Sequence, residues 1–333
     1  MNNRFRASVT ARKILAVSRA MITVTALCVV QAYAQNYPVK PIRMIIGFPP
    51  GGSLDVVARL IAPKLGENLG QQVIVDNRSG ASSNIASELV MNSPPDGYTL
   101  MSVTIPYVVN PSLFSRVPYD ARTDFVPVSL LCSSASLVVV HPSVPARSVR
   151  ELLALARSRP GALNYSAAGA GTNPHIAGEL FNLLGNVNIV AVQFKGGGPA
   201  DIAVMAGEVG ISFPNISQSI TYVASGRLRA LGVTSAARAA VLPELPTVAE
   251  AGIPGYEFST WHGMLAPKST PRAIVVLLNE QIRKTLTTPE LTKLFADRGL
   301  AVIASTPDEF AAHIDSELKK WGRVVKERGL KVE

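Results

Sequence analysis

Short apolar runs alternate with stretches whose apolar residues recur every three or four positions. The runs "IRMIIGF" (42–48), "QVIVD" (72–76), "YTLMSV" (98–103), "SLVVV" (136–140), "LNYSA" (163–167), "NIVAVQF" (188–194), "VGISF" (209–213) and "LRALGVT" (228–234) predict strands. Between them, Leu54, Val57, Ile61 and Leu65 share one face at helical spacing, as do Ile176, Leu180, Leu183 and Leu184. Strand and helix in alternation predict an α/β protein of mainly parallel sheets flanked by helices, with ligands outside the carboxyl ends of the strands.

Three helical stretches, around 271–285, 288–298 and 307–327, close the chain without a full set of strands of their own. They are expected to pack back onto the first domain. Two segments, "HPSVPARS" (141–148) and "FSTWHGMLAPKSTPR" (258–272), read as crossings between domains. The expected organisation is a discontinuous first domain, 35–140 plus 263–333, and an inserted second domain, 141–262. Two crossings, with a hinge near 140–142 and 261–266, predict a clamp that closes on its ligand.

The first 34 residues read as an export signal instead of a part of this fold. Arg4, Arg6, Arg12, Lys13 and Arg19 precede the apolar "AMITVTALCVV", and "AYA" follows. Basic start, short apolar run and small residues predict cleavage after Ala34 and a periplasmic protein. The leader changes the charge argument: the chain carries +9, but these five basic residues and no acidic ones leave +4 for the rest. No basic-aromatic stripe follows, so nucleic acid is not an expected partner. Cys132 is the one cysteine beyond the leader, and no Cys/His spacing suits zinc. Neither metal nor cofactor is expected.

Candidate chemistry lies in glycine-rich turns that follow strands and open helices: "GFPPGGSLD" (47–55), "NRSGASSNIASEL" (77–89), "SAAGAGTNPHIAGEL" (166–180) and "FKGGGPADIAVM" (194–205). Each offers free backbone N–H groups and a positive helix end, which favours an anion. Asp55 fits the cleft or simply the dipole of its own first turn. Pro174 and Pro199 fit the first turns of their helices, with Thr172 or Asn173 and Gly198 as caps. His175 fits a packed or capping residue better than a base. The histidines, His141, His175, His262 and His313, belong to no triad motif, and there is no G-x-S-x-G. Sparse ionisable groups around the loops suit binding better than acid–base work.

The same loops, with "PPDGYTLM", "PYDARTDFVPVSLL", "VVVHPSVPARSVRELLALARSRPG", "GRLRALGVTSAAR" and "LPELPTVAEAGIPGYEFSTWHGMLAP", resemble in order the Bug/TctC family. These are extracytoplasmic solute-binding proteins of tripartite tricarboxylate transporters. The resemblance implies a two-domain Venus-flytrap fold and a small organic acid or amino acid in the cleft, with no catalysis. A periplasmic hydrolase or isomerase on the same clamp is the alternative. It also implies that loops 48–55 and 168–175 hold a ligand carboxylate by backbone N–H groups, partly through water. The expected site is therefore Phe48, Pro50, Gly51, Gly52, Ser53, Asp55, Ser82, Ser83, Asn84, Ala168, Gly169, Gly171, Thr172, His175, Phe194 and Lys195. The implied partner is a TctA/TctB-type membrane transporter or a sensor ectodomain, and the protein is expected to be a monomer. Three departures stand out. Ser82 and Ser83 occupy positions where the family carries glycine. Ala191, Gln193 and Phe194 stand where His, Pro and Tyr are common, and Ala203 where Asp is frequent.

Overall fold

The computed structural model describes residues 37–330; the expected leader, 1–34, lies outside the described residues. The body from Lys40 onward is an α/β fold of two sheets flanked by helices. The first sheet is built from β1 (Ile42–Ile46), β2 (Val73–Asn77), β3 (Thr99–Val103), β4 (Phe125–Ala135), β10 (Ser259–Pro267) and β11 (Leu300–Val302), in the order β11-β4-β10-β3-β1-β2. The second contains β5 (Leu137–Val140), β6 (Asn164–Ala167), β7 (Val190–Gln193), β8 (Ile211–Ser212) and β9 (Arg229–Val233), in the order β7-β6-β8-β5-β9.

Central strands read as nearly continuous apolar runs because both faces are covered, the exception in β1 being Arg43, which pairs with Asp76 of β2. Ile42, Met44, Ile45 and Ile46 of β1 and all four residues of β5 are buried. Helix α1 (Ser53–Leu69) lays Leu54, Val57, Ile61 and Leu65 onto the core as the spacing predicts. Helix α5 (Asn173–Gly185) departs from its expected face. Ile176, Ala177 and Phe181 are buried, whereas Leu180 and Leu183 are half-buried and Leu184 is exposed. Phe181 and Phe213 pack ring on ring there, and that contact sets the helix rotation.

Both sheets are mixed, not mainly parallel. β1 pairs in parallel with β2 and β3, and β6 with β7 and β8. β10 is antiparallel to β3 and β4, and β5 to β8 and β9. The reason is the way the chain enters each sheet. β5 and β10 are the strands by which it arrives from the other sheet, so they start where β3, β6 and β8 end and run the opposite way.

The chain changes sheets at Ser136 and again between Val233 and Ser259. The strand 137–140, expected to close the first domain, thus pairs in the second sheet, and Trp261 and His262 lie within a first-sheet strand. "SLLCSSASLVVV" carries no glycine, proline, asparagine or aspartate to mark the passage, and "HPSVPARS" is only the loop after β5. Hydrogen bonds tie the two passages together. Ser136 N–H donates to Thr234 Oγ1 at 2.8 Å and Thr234 N–H to Ser136 O at 2.9 Å.

The closing helices, α8 (Arg272–Leu286), α9 (Pro289–Ala296) and α10 (Pro307–Arg328), follow the expected stretches. Asn279 Nδ2 of α8 donates to Val128 O and Ser305 O, both at 2.8 Å, anchoring that helix to the first sheet. α10 starts at a capping box between Thr306 and Glu309. Its Glu317 accepts from Trp261 Nε1 at 3.0 Å and Trp321 Nε1 at 2.8 Å. The remaining helices are α2 (Asn84–Met91), α3 (Pro106–Leu113), α4 (Val149–Ser158), α6 (Gly197–Met205) and α7 (Ile216–Ala224).

Candidate functional site

The first loop, Gly47 to Gly52, leaves β1 and opens α1 at Gly52, a cap without a side chain. Its shape is held by Asp55, which is 3% exposed. Oδ2 accepts from Gly51 N–H at 3.0 Å and Arg59 Nε at 2.9 Å, and Oδ1 accepts from Asn77 Nδ2 at 3.1 Å. Asn77 Nδ2 also donates to Phe48 O at 2.9 Å. Burial pushes this carboxyl up, but the bonds from Arg59, Gly51 and Asn77 outweigh it and hold the group below its usual range. Asp55 is an ionised brace for the loop, and the Gly51 N–H is committed to it.

The second loop carries Ala81, Ser82 and Ser83 at φ 44°, 49° and 77°, three consecutive left-handed residues without a glycine. Ser82 Oγ donates to Ala170 O at 2.6 Å, which joins this loop to the one after β6. Ser83 is buried against Gly47, where a Cβ would overlap its hydroxyl. Asn84 Oδ1 accepts from Asn110 Nδ2 at 2.9 Å, and the same amide donates to Ser82 O at 2.8 Å.

The third loop, Ala168 to Thr172, opens α5. Thr172 Oγ1 donates to Gly169 O at 2.6 Å, and Gly171 N–H donates to His175 Nδ1 at 3.1 Å. That acceptor role puts the ring proton on Nε2. Burial pulls the His175 pKa down, against the partial opposition of Glu179, so the imidazole is neutral. Gly171 has φ 74°, and a Cβ there would meet Leu113 Cδ2 at 2.8 Å and Asn110 Oδ1 at 3.1 Å. The missing side chain makes room for α3, and the Gly171 N–H is taken by His175.

The fourth loop meets the first. A Cβ on Gly196 would strike Pro49 Cδ at 2.8 Å, and one on Gly198 would reach Pro50 O at 3.3 Å. Two prolines of one loop thus lie on glycines of the other, and only glycine permits that approach. α6 starts at Gly197, which places Pro199 within its first turn. Phe194 is half-buried against the apolar cluster of the second sheet, and Lys195 is exposed.

A cavity lies among these loops, lined by Phe48, Gly52, Ser53, Leu54, Thr104, Pro106, Ala168, Thr172, Asn173, Pro174, Gly197, Asn215 and Gln218. These residues sit at the N-terminal ends of α1, α3, α5, α6 and α7, and none of those ends is capped by its own side chain. First-turn N–H groups of α1, α5, α6 and α7 have no acceptor within their own helix, whereas at α3 Pro106 has no N–H and Tyr107 and Val108 donate to Thr104 O and Ile105 O, so four helix ends offer donors to one space. Among the described residues, no charged side chain lines it.

Of the expected site residues, Phe48, Gly52, Ser53, Ala168 and Thr172 line the cavity. Pro50, Gly51, Asp55, Ser82, Ser83, Asn84, Gly169, Gly171 and His175 shape or brace its loops; Phe194 adjoins the third loop through its backbone, its N–H donating to Ala167 O at 2.8 Å and its carbonyl oxygen 3.8 Å from where a Cβ on Gly169 would lie, and Lys195 is exposed. Leu54, Thr104, Pro106, Asn173, Pro174, Gly197, Asn215 and Gln218 also line it and are not among the expected residues. "SFPNISQ" repeats the strand-to-helix layout without glycine, and that layout was the available signal. Thr104 and Asn173 meet through Thr260: its Oγ1 lies 3.1 Å from Thr104 Oγ1 and accepts from Asn173 Nδ2 at 2.6 Å.

The tripartite tricarboxylate transporter family receptor profile, TctC, matches residues 57–330. The chain belongs to this family. It is 39% identical over 292 residues to a Pseudomonas sp. (strain P51) protein from the tcbD-tcbE intergenic region, covering 87% of each chain. It is 37% identical over 301 residues to protein BugT of Bordetella pertussis, covering 90% of this chain and 92% of that one. Among solved structures, Rpa4515 of R. palustris with adipate superposes at a TM-score of 0.87 with 35% identity, over 89% of this chain and 100% of that one. The periplasmic binding protein BugD gives 0.86 at 28% identity, over 89% of this chain and 100% of that one. MatC of Rhodopseudomonas palustris with bound malate gives 0.83 at 30% identity, over 87% of this chain and 100% of that one. The TctC receptors are solute-binding proteins, not enzymes, and this chain shares their two-domain fold.

Proposed function

We propose that this TctC-family receptor is exported to the periplasm, loses its leader near Ala34, and captures a small carboxylate in the cavity between its two sheets. The observation that carries this reading is the meeting of four helix N-termini with free first-turn donors, those of α1, α5, α6 and α7, around a space lined by no charged side chain among the described residues. A carboxylate entering it gains charge-assisted hydrogen bonds without burying a cation. Gly51 and Gly171 N–H groups are committed to Asp55 and His175, so the donors left for the ligand are first-turn N–H groups such as those of Gly52, Ser53 and Leu54. The bound adipate and malate of the two related structures fit this chemistry.

The two passages at Ser136 and 234–258 serve as the hinge, and Pro49–Pro50 on Gly196–Gly198 is the closed contact. The loaded monomer then presents its ligand to a TctA/TctB-type transporter or a sensor ectodomain. Native mass spectrometry of protein purified from the periplasm, followed by calorimetry with adipate and malate, tests the reading. A retained or added acid binding one to one supports it. No binding of any small carboxylate by folded protein overturns it.

A further inference from the structure

Asn215 stands just before α7, is 2% exposed and lines the cavity. Neither Oδ1 nor Nδ2 of this amide has a hydrogen-bond partner. A buried amide with both ends unsatisfied is costly unless something else completes it. Gln218, one turn on, lines the same wall, and its Nε2 donates to Asp201 Oδ2 at 2.5 Å. Asp201 is 3% exposed on α6, and its position fixes which end of the Gln218 amide is engaged. Gly197 makes the room, since a Cβ there would lie 2.7 Å from Gln218 Nε2. Asn173 repeats the arrangement: Nδ2 is spent on Thr260 Oγ1 at 2.6 Å, and Oδ1 is buried without a partner.

This wall therefore offers three amide oxygens, on Asn173, Asn215 and Gln218, and of the three amide nitrogens only Asn215 Nδ2 has no partner among the described residues. A carboxylate has only acceptors and cannot satisfy those oxygens. We propose that Asn215 and Gln218, with Asp201 as the positioning residue behind Gln218, form a subsite selective for a hydroxyl group on the bound acid. The hydroxyl donates to an amide oxygen and accepts from Asn215 Nδ2, both within reach of one small group. An ammonium can donate to those oxygens but has no lone pair, so it would leave Asn215 Nδ2 unpaired and would bring a charge with no permanent counter-charge behind the wall. Asp201 lies behind Gln218, and burial pushes its carboxyl up to about 7 against the Gln218 hydrogen bond, so it is a poor permanent counter-charge. The ligand class is a hydroxy acid, and the inference rests on the carboxylate-receptor reading above.

The test is calorimetry on the full mature chain with two acids differing by one hydroxyl, malate and succinate. Malate is expected to bind at least about tenfold tighter, as for a site whose polar groups go unpaired when the hydroxyl is missing. Asn215→Ala and Gln218→Leu should each weaken malate more than succinate and bring the ratio toward one. Asp201→Asn can donate to Gln218 Oε1 and let the amide turn, so it should lower the ratio in a protein whose melting temperature stays close to wild type. Equal binding of malate and succinate by the wild type, or an unchanged ratio in Asn215→Ala, overturns the subsite and leaves the carboxylate receptor standing. Binding of succinate, malate and adipate all absent overturns both.

Discussion

The two loops that bracket the cavity, 48–52 on the first sheet and 168–172 on the second, are held by braces of opposite electrical character. In each, a side chain from the following helix turns back to take one loop N–H: Asp55 takes that of Gly51, and His175 that of Gly171. Asp55 is an anion whose charge is met by Arg59 and Asn77. His175 is neutral and supplies an acceptor lone pair only. Each device stiffens a glycine turn without adding a net charge to the wall of the cavity. Helix ends are thereby left as the source of positive potential, and the strongest donors in the site are backbone groups.

The largest effect should come from closing the gap that separates the two loops from their neighbours across the cavity. Gly171→Val combines a left-handed φ with a clash on Leu113 and Asn110. Affinity should fall about a hundredfold or more, on the scale of a few kcal/mol for backbone strain plus overpacking. Solution scattering should then show the same radius of gyration with and without acid, whereas wild type contracts. Wild-type affinity in this variant would show that α3 does not approach the loop as described.

Next come the braces themselves. Asp55→Ala strands Gly51 N–H, Arg59 and Asn77, and should cost about 2–3 kcal/mol in unfolding free energy by denaturant titration. His175→Gln keeps an acceptor near Gly171 and should cost about 1 kcal/mol or less. A larger loss at His175 than at Asp55 would reverse the comparison.

Acid separates the two braces. A base whose native pKa is depressed lets the unfolded chain bind the extra proton, so the stability His175 contributes is lost as pH falls below about 6.5. The depressed carboxyl of Asp55 keeps its contribution down to about pH 4 and loses it below. Thermal melts should show the gap between wild type and His175→Gln narrowing between pH 7 and 5. The gap to Asp55→Asn should hold over that range and close only under stronger acid. His262, buried and pulled down to about 3, adds its own acid lability to every variant, so the differences from wild type are what count. Parallel behaviour of the two gaps would contradict the assigned charge states.

The smallest effect is at Ser82. Ser82→Gly relieves a left-handed serine, worth about 1 kcal/mol, and removes the bond to Ala170 O, worth about the same. The two should nearly cancel in ligand affinity. Ser82→Ala loses the bond and keeps the strain, so it should bind several-fold more weakly. Identical affinities for the two variants would remove the backbone strain from the account, and wild-type affinity in Ser82→Ala would remove the cross-loop bond.

What the chain alone determined is local. Apolar runs such as "LVVV", and "IRMII" with its one half-exposed Arg43 paired to Asp76, are strands because burial on both faces favours apolar residues, and Leu54, Val57, Ile61 and Leu65 make a helix because their spacing matches its turn. Glycine turns between strand and helix were legible for the same reason, and with them the anion-seeking character of the site. Three things lay beyond that reading. The strands 125–135, 259–267 and 300–302 escaped it because serines, prolines and bulges blur their pattern, and pairing across more than a hundred residues is what holds them extended. The passage between sheets at Ser136 is invisible because an extended chain that switches partners needs no turn. The division of labour among site residues was decided only in three dimensions. Whether Gly171 meets a ligand or Leu113, and whether Asn215 faces solvent or a closed cavity, depends on what the other sheet brings opposite, and no spacing along the chain encodes that distance.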